Sequence, residues 1–214
     1  MLLHYASMGE AEGVEMLSMN CELITANMQA DRWRALVNKT RNVFSGLITN
    51  APNGHGHQFL VTWWDAVDVI GVDLYDFING STVEEMVQSW GPFVDMLEGL
   101  HTNYSKPVAL TEIGYCSGGC DRSSSSSNQD LIQQAYHYEA LFLATVNATK
   151  DGWFLGAFFW NWDTDPAYGP GDVCLSPQWK PSEDVLRRYY RATEPRPAIP
   201  PFPPMCIGAG TCTA

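Results

Sequence analysis

Positive charge is scarce in this 214-residue chain. Twelve Lys and Arg stand against 24 Asp and Glu, for a formal net charge of −12 and a pI near 4.6. Phosphate backbones are bound by clustered Lys and Arg, so this thin scatter excludes a nucleic-acid partner. Long apolar runs are missing too. No stretch approaches the roughly 20 uninterrupted apolar residues of a membrane-spanning helix, so no membrane partner is expected. The six cysteines, Cys21, Cys116, Cys120, Cys174, Cys206 and Cys212, lack the usual zinc spacings, with no C-x2-C pair or H-x3–5-H partner. Disulfides are the better reading for most of them. The opening Met1-Leu2-Leu3-His4-Tyr5 runs into Glu10-Ala11-Glu12 with no basic n-region or long apolar stretch. No signal peptide is read there, and the expectation is that an N-terminal segment is missing.

What is present is apolar and aromatic. With 45% hydrophobic and 12% aromatic residues, the chain can bury one sizeable core and has no room for two full domains. An acidic, Trp-rich surface suits neutral sugars, whose ring faces stack on aromatics while their hydroxyls seek Asp, Glu and Asn. The acidity equally serves solubility alone. Sequons at Asn38, Asn79, Asn103 and Asn147 agree with an extracellular or secretory-pathway glycoprotein.

Hydrophobic periodicity alternates. Leu2 to Glu12 reads as a helix stopped by Gly13, and Val14 to Met19 as a buried strand. Helix Ala30 to Phe44 precedes strand Leu47-Ile48-Thr49. Strand Val67 to Leu74, helix Thr82 to His101, strand Pro107 to Glu112, helix Gln129 to Thr149, strand Phe154 to Trp160 and helix Ser182 to Tyr190 complete the series. Doubly buried strands alternating with helices imply a parallel sheet, either open or part of a barrel. Ser117 to Ser127 reads as a surface insertion. The domain is assigned to 1–193, followed by a Pro-rich, Cys-containing tail over 194–214 that is ordered only if Cys206 and Cys212 pair.

Reacting groups in such folds gather where each apolar strand turns polar. Those points are Asn20-Cys21-Glu22, Asp73-Leu74-Tyr75, Thr111-Glu112 and Trp160-Asn161-Trp162. One glutamate at a strand end is commonly a cap or salt-bridge partner. Two of them beside Tyr and Trp suggest carbohydrate chemistry, because glycoside cleavage protonates a poor leaving group while stabilising an oxocarbenium-like centre from the opposite side. A carboxyl separation of about 5–5.5 Å gives retention and about 6.5–9.5 Å inversion. Mutual repulsion would keep Glu22 protonated as the acid. Tyr75 can donate to a carboxylate nucleophile or merely pack, and Trp160 can floor a sugar subsite or sit in the core.

These same residues resemble glycoside hydrolase family 113, a clan A barrel family. The resemblance runs through Gly13-Val14-Glu15-Met16-Leu17 to Glu22-Leu23, then Trp33 to Arg41 and Gly46 to Ala51. It continues through Asp68 to Tyr75, Thr111 to Tyr115 and Phe159-Trp160-Asn161-Trp162. It implies retaining endo-β-1,4-mannanase activity, with Glu22 as acid/base, Glu112 as nucleophile, and Tyr75, Trp160, Asn20 and Trp162 in substrate binding. It also implies that the chain holds about strands 4 to 8 of a (β/α)8 TIM barrel, with the first three βα units missing. Polysaccharide or oligosaccharide is the expected partner, with no cofactor and no metal. The family usually has a small residue before the acid/base, and clan A relatives often have Asn. Here that position is Cys21, read as a packed free thiol or a disulfide partner. Cys116 bridges Cys120, or either pairs with Cys174. The rival expectations are an inactive fragment or sugar-binding pseudoenzyme, and an unrelated open α/β sheet with its two glutamates far apart. The unpaired sheet edge predicts marginal stability or association.

Overall fold

Runs of Val, Ile, Leu and Met too short for helices form five parallel strands. The structure, a computed structural model, describes residues 1–118, 130–164 and 173–190. Its strands are β1 (Met16–Cys21), β2 (Leu47–Ala51), β3 (Ile70–Asp73), β4 (Val108–Ile113) and β5 (Phe154–Phe159). The helices are α1 (Leu2–Ala11), α2 (Ile24–Asn27), α3 (Ala30–Arg41), α4 (Val83–Tyr104), α5 (Leu131–Lys150) and α6 (Pro181–Tyr189). β1 pairs with β2, and β3 with β4 and β4 with β5, all parallel. The two ladders meet through Asp68 N to Ile48 O at 2.8 Å, Asp73 N to Pro52 O at 3.0 Å and a parallel bridge between Asn53 and Asp73. The strands therefore follow chain order.

Glycine permits that meeting. A Cβ on Gly71 of β3 would lie 2.3 Å from the Asn50 carbonyl oxygen of β2, so only glycine allows this approach. β3 is buried at every position, as expected for a strand covered on both faces. Trp90, Leu97 and Leu100 of α4 and Leu141 of α5 belong to the core that covers it. The start of α4 is fixed by a capping box in which Thr82 accepts from Glu85 N while Glu85 accepts from Thr82 N.

The alternation of strand and helix breaks once, where no helix was read from the sequence. No α-helix links β2 to β3; two 3₁₀ turns, His57–Leu60 and Trp64–Ala66, take its place, and strand structure begins at Ile70 instead of Val67. Trp63 and Trp64 are fully buried there, Trp33 of α3 stacks on Trp63 with centroids 5.1 Å apart, and Trp63 Nε1 donates to Asn27 O. Two indoles supply the apolar cover that a helix would otherwise bring. The short α2 was not read from the sequence either.

Among the described residues β1 pairs only with β2 and β5 only with β4. A groove lined by Val14, Met16, Leu47, Ala109, Leu155 and Phe158 separates their starts. Leu155 and Phe158 are exposed along it. No described helix is long and apolar enough to cross a membrane. The proposed tail 194–214, most of the serine-rich insertion, and Cys120, Cys206 and Cys212 lie outside the described residues. Cys21 and Cys174 carry free thiols, so the bridges drawn to either are not formed.

Candidate active site

The polar groups expected at the strand ends meet because two strands are bulged. Along β1 and β2, Ser18 pairs with Thr49 but Cys21 with Ala51, so β1 carries one extra residue just before Glu22. Along β3 and β4, Val72 pairs with Leu110 but Asp73 with Glu112, so β4 carries its extra residue at Thr111. A bulge suspends strict alternation and re-aims side chains. Thr111 and Glu112, though consecutive, both reach groups on neighbouring strand ends.

Glu112 is half-buried and held at both carboxylate oxygens. The Tyr75 hydroxyl donates to Oε2 at 3.0 Å, and the Cys21 thiol lies 3.5 Å from Oε1. The same sulfur is 3.7 Å from Asp73 Oδ2, while the Thr111 hydroxyl donates to Asp73 Oδ1 at 2.6 Å. Glu22 is exposed. It takes a φ of 53°, a left-handed conformation that residues other than glycine adopt seldom, and its amide donates to Ala51 O at 2.7 Å. Asn53 Nδ2 donates to Glu22 Oε1 at 2.9 Å.

No described ion pair reaches Glu22, Asp73 or Glu112; the arginines bond Asp31, Asp65, Asp68, Glu139 and Glu183 elsewhere. The site is thus several carboxyls held by neutral donors. Burial, then the Glu112 and Glu22 charges, push the Asp73 carboxyl up to about 7 against the opposing Thr111 hydrogen bond. Burial, then Asp73 and Glu112, push the Cys21 thiol up to about 12. Burial and Glu112 also raise Tyr75, so both donors keep their protons at neutral pH. Glu22 adds to all three shifts, which places it within electrostatic reach of the Glu112 cluster.

Cys21, Asp73 and Glu112 are the one group of three ligand-type side chains among the described residues, with atoms within 4.8 Å of one another. The thiol lies between the two carboxyls, 3.5 Å from Glu112 Oε1 and 3.7 Å from Asp73 Oδ2.

Of the other residues singled out, Trp160 and Trp162 are exposed just beyond β5. Trp160 N donates to Ile113 O at 2.8 Å, and a Cβ on Gly114 would meet Trp160 O at 2.1 Å, so this glycine lets the Trp160 backbone close against the end of β4. Asn20 is turned away: its amide donates to Asn27 and Asn50, in a cluster tying the end of β1 to α2 and β2. Cys21 is a free thiol on a residue that is exposed overall, while its sulfur is turned in against Asp73 and Glu112. Asp73 and Thr111 fall within the strand ends marked in the sequence but carried no assigned role, and Asn53 was not singled out at all. Asp73 alone carried a signal, a carboxyl on an otherwise apolar strand.

The model of Glycoside Hydrolase Family 113 matches residues 1–171. A GH113 β-1,4-mannanase solved as a complex superposes with a TM-score of 0.73 at 27% identity, over 89% of this chain and 60% of that one. The GH113 β-mannanase AaManA from Alicyclobacillus acidocaldarius, in complex with ManMIm, gives 0.71 at 28% identity, over 89% and 59%. A β-glucuronidase from Faecalibacterium prausnitzii gives 0.55 at 14% identity, over 91% and 35%, a likeness of fold alone. No curated protein sequence matches the chain at a significant level. The chain spans about 60% of the length of the mannanases it superposes on. Its α/β fold of parallel strands fits part of a TIM-barrel-like glycoside hydrolase.

Proposed function

The chain belongs to glycoside hydrolase family 113, and from that premise we propose that it is a retaining enzyme acting on β-1,4-mannan or a related β-hexosyl polysaccharide. In this reading its strands correspond to about strands 4 to 8 of the barrel. The observation that carries the reading is Glu112, a carboxylate held at both oxygens by neutral donors within electrostatic reach of a second, exposed carboxyl, Glu22.

Glu112 attacks the anomeric carbon while Glu22 donates its proton to the departing glycosidic oxygen. The covalent glycosyl-enzyme then forms, and water activated by Glu22 releases the sugar with configuration retained. Tyr75 orients Glu112 through its hydrogen bond to Oε2; Asn53 sets the direction of Glu22. A pocket of carboxyls without a paired cation favours positive charge developing at the anomeric carbon. Trp160 and Trp162 are exposed where a sugar ring can stack. The sequon asparagines Asn38, Asn79, Asn103 and Asn147 are all exposed, which supports a secreted glycoprotein.

Incubation of the chain with β-1,4-mannan, with the first-formed anomer read by proton NMR, tests this. The β-anomer of the product is expected. The α-anomer would overturn the double displacement, and binding without cleavage would support the sugar-binding alternative.

A further inference from the structure

Resting on the reading of Glu112 as nucleophile, we propose that Cys21 is a positioning residue for it: the thiol proton, held between two carboxylates, fixes the Glu112 oxygen that Tyr75 does not.

The arrangement around the sulfur is nearly symmetric. Glu112 gives one oxygen to the Tyr75 hydroxyl and turns the other to Cys21; Asp73 gives one oxygen to the Thr111 hydroxyl and turns the other to Cys21. A thiol has one proton for these two acceptors. With Asp73 ionised, the proton is shared between them. With Asp73 protonated at Oδ2, the acid hydrogen points to sulfur and the thiol proton goes to Glu112 Oε1. The charge on Asp73 therefore governs how firmly the nucleophile is held. The titratable groups facing this sulfur are Glu22 beside it, Asp73 and Tyr75 from β3 and the segment after it, and Glu112 from β4. Asn53 and Thr111 add neutral donors. His55, in the preceding loop, is paired with Asp76.

The bulge in β1 makes the contact possible, since the extra residue places Cys21 opposite Ala51 with Glu22 next along the chain. One short segment thus supplies the acid/base and a donor to its partner. A thiol is a weak donor, and the effect of losing it is accordingly modest.

Two measurements on the full chain separate this inference from the activity it rests on. The first is alkylation of Cys21 by iodoacetamide, followed on the Cys21 peptide by mass spectrometry, with Cys174 as the control thiol in the same digest. Two neighbouring carboxylates withhold ionisation, so Glu112→Gln and Asp73→Asn should each speed alkylation at least about 10-fold while Cys174 is unchanged. A Cys21 rate indifferent to Glu112→Gln overturns the proposal. The second is the pH profile of kcat/KM on β-1,4-mannan. Cys21→Ala should move the acid limb up by about half to one pH unit and lower kcat about 3- to 10-fold, with Cys21→Ser close to the parent. A lower melting temperature with an unmoved acid limb would assign Cys21 to packing and overturn the proposal. Coupled alkylation without hydrolysis of mannan would support the hydrogen bond and overturn the assigned activity.

Discussion

Glu112 lies inside β4 just past its bulge, half-buried, with a phenol on one oxygen and a thiol facing the other. Glu22 sits just past a strand end, exposed, in a left-handed backbone conformation, with a single amide on its carboxylate. Donors that bind the charged form favour ionisation and fix direction, the two properties a nucleophile needs. An exposed carboxyl with one partner can gain and lose a proton and meet water, as an acid/base must. Identical side chains thus receive different tasks from their surroundings.

The strongest way to break this comparison is to neutralise each glutamate and vary the leaving group. Glu112→Gln should abolish turnover of mannan and of activated aryl glycosides alike, with azide restoring none of it in the Gln variant. Glu22→Gln should lower mannan hydrolysis by about 10²–10⁴-fold yet largely spare glycosylation by an aryl glycoside whose leaving group needs no proton, read as a burst of phenol. The same response from both variants would remove the distinction.

Tyr75→Phe tests the donor on the nucleophile. A hydrogen bond to a charged group contributes about 1.5–3 kcal/mol, so kcat/KM should fall roughly 10- to 100-fold, with little change in the denaturation midpoint. Asn53→Ala, acting on the more loosely held Glu22, should cost less in the same assay.

The smallest effect concerns stability. Burial pushes the Asp73 carboxyl up from its ordinary 3.8 to about 7 in the folded chain. Between those values the folded state binds more protons than the unfolded one, so this group's contribution to stability declines as pH rises from about 4 to about 7. Asp73→Asn should remove that part of the slope in a melting series across this range. An unchanged slope would mean that the carboxyl is not held neutral.

Much of the fold was legible because burial writes itself into spacing. All five strands were found as apolar runs, with ends displaced by a few residues, as were the five longer helices. No element was read over the β2–β3 connection, because Trp63 and Trp64 cover the sheet there without helical periodicity. Asn20, a candidate sugar contact from its place just before Glu22, donates its amide to Asn27 and Asn50, a partnership that nothing in the sequence marked. Asn53 left no signal, since a loop asparagine acquires meaning only from what it faces.

Glu22, Tyr75 and Glu112, polar groups terminating apolar strands, could be singled out by sequence alone, because in a parallel α/β fold the interior of a strand is buried and its carboxyl end is not. Which of them meet was decided by tertiary structure. The bulges in β1 and β4 shift register by one residue, and a one-residue shift changes which side chains share a face. The Cys21 thiol thereby comes to lie between Asp73 and Glu112, 52 and 91 residues away in the chain.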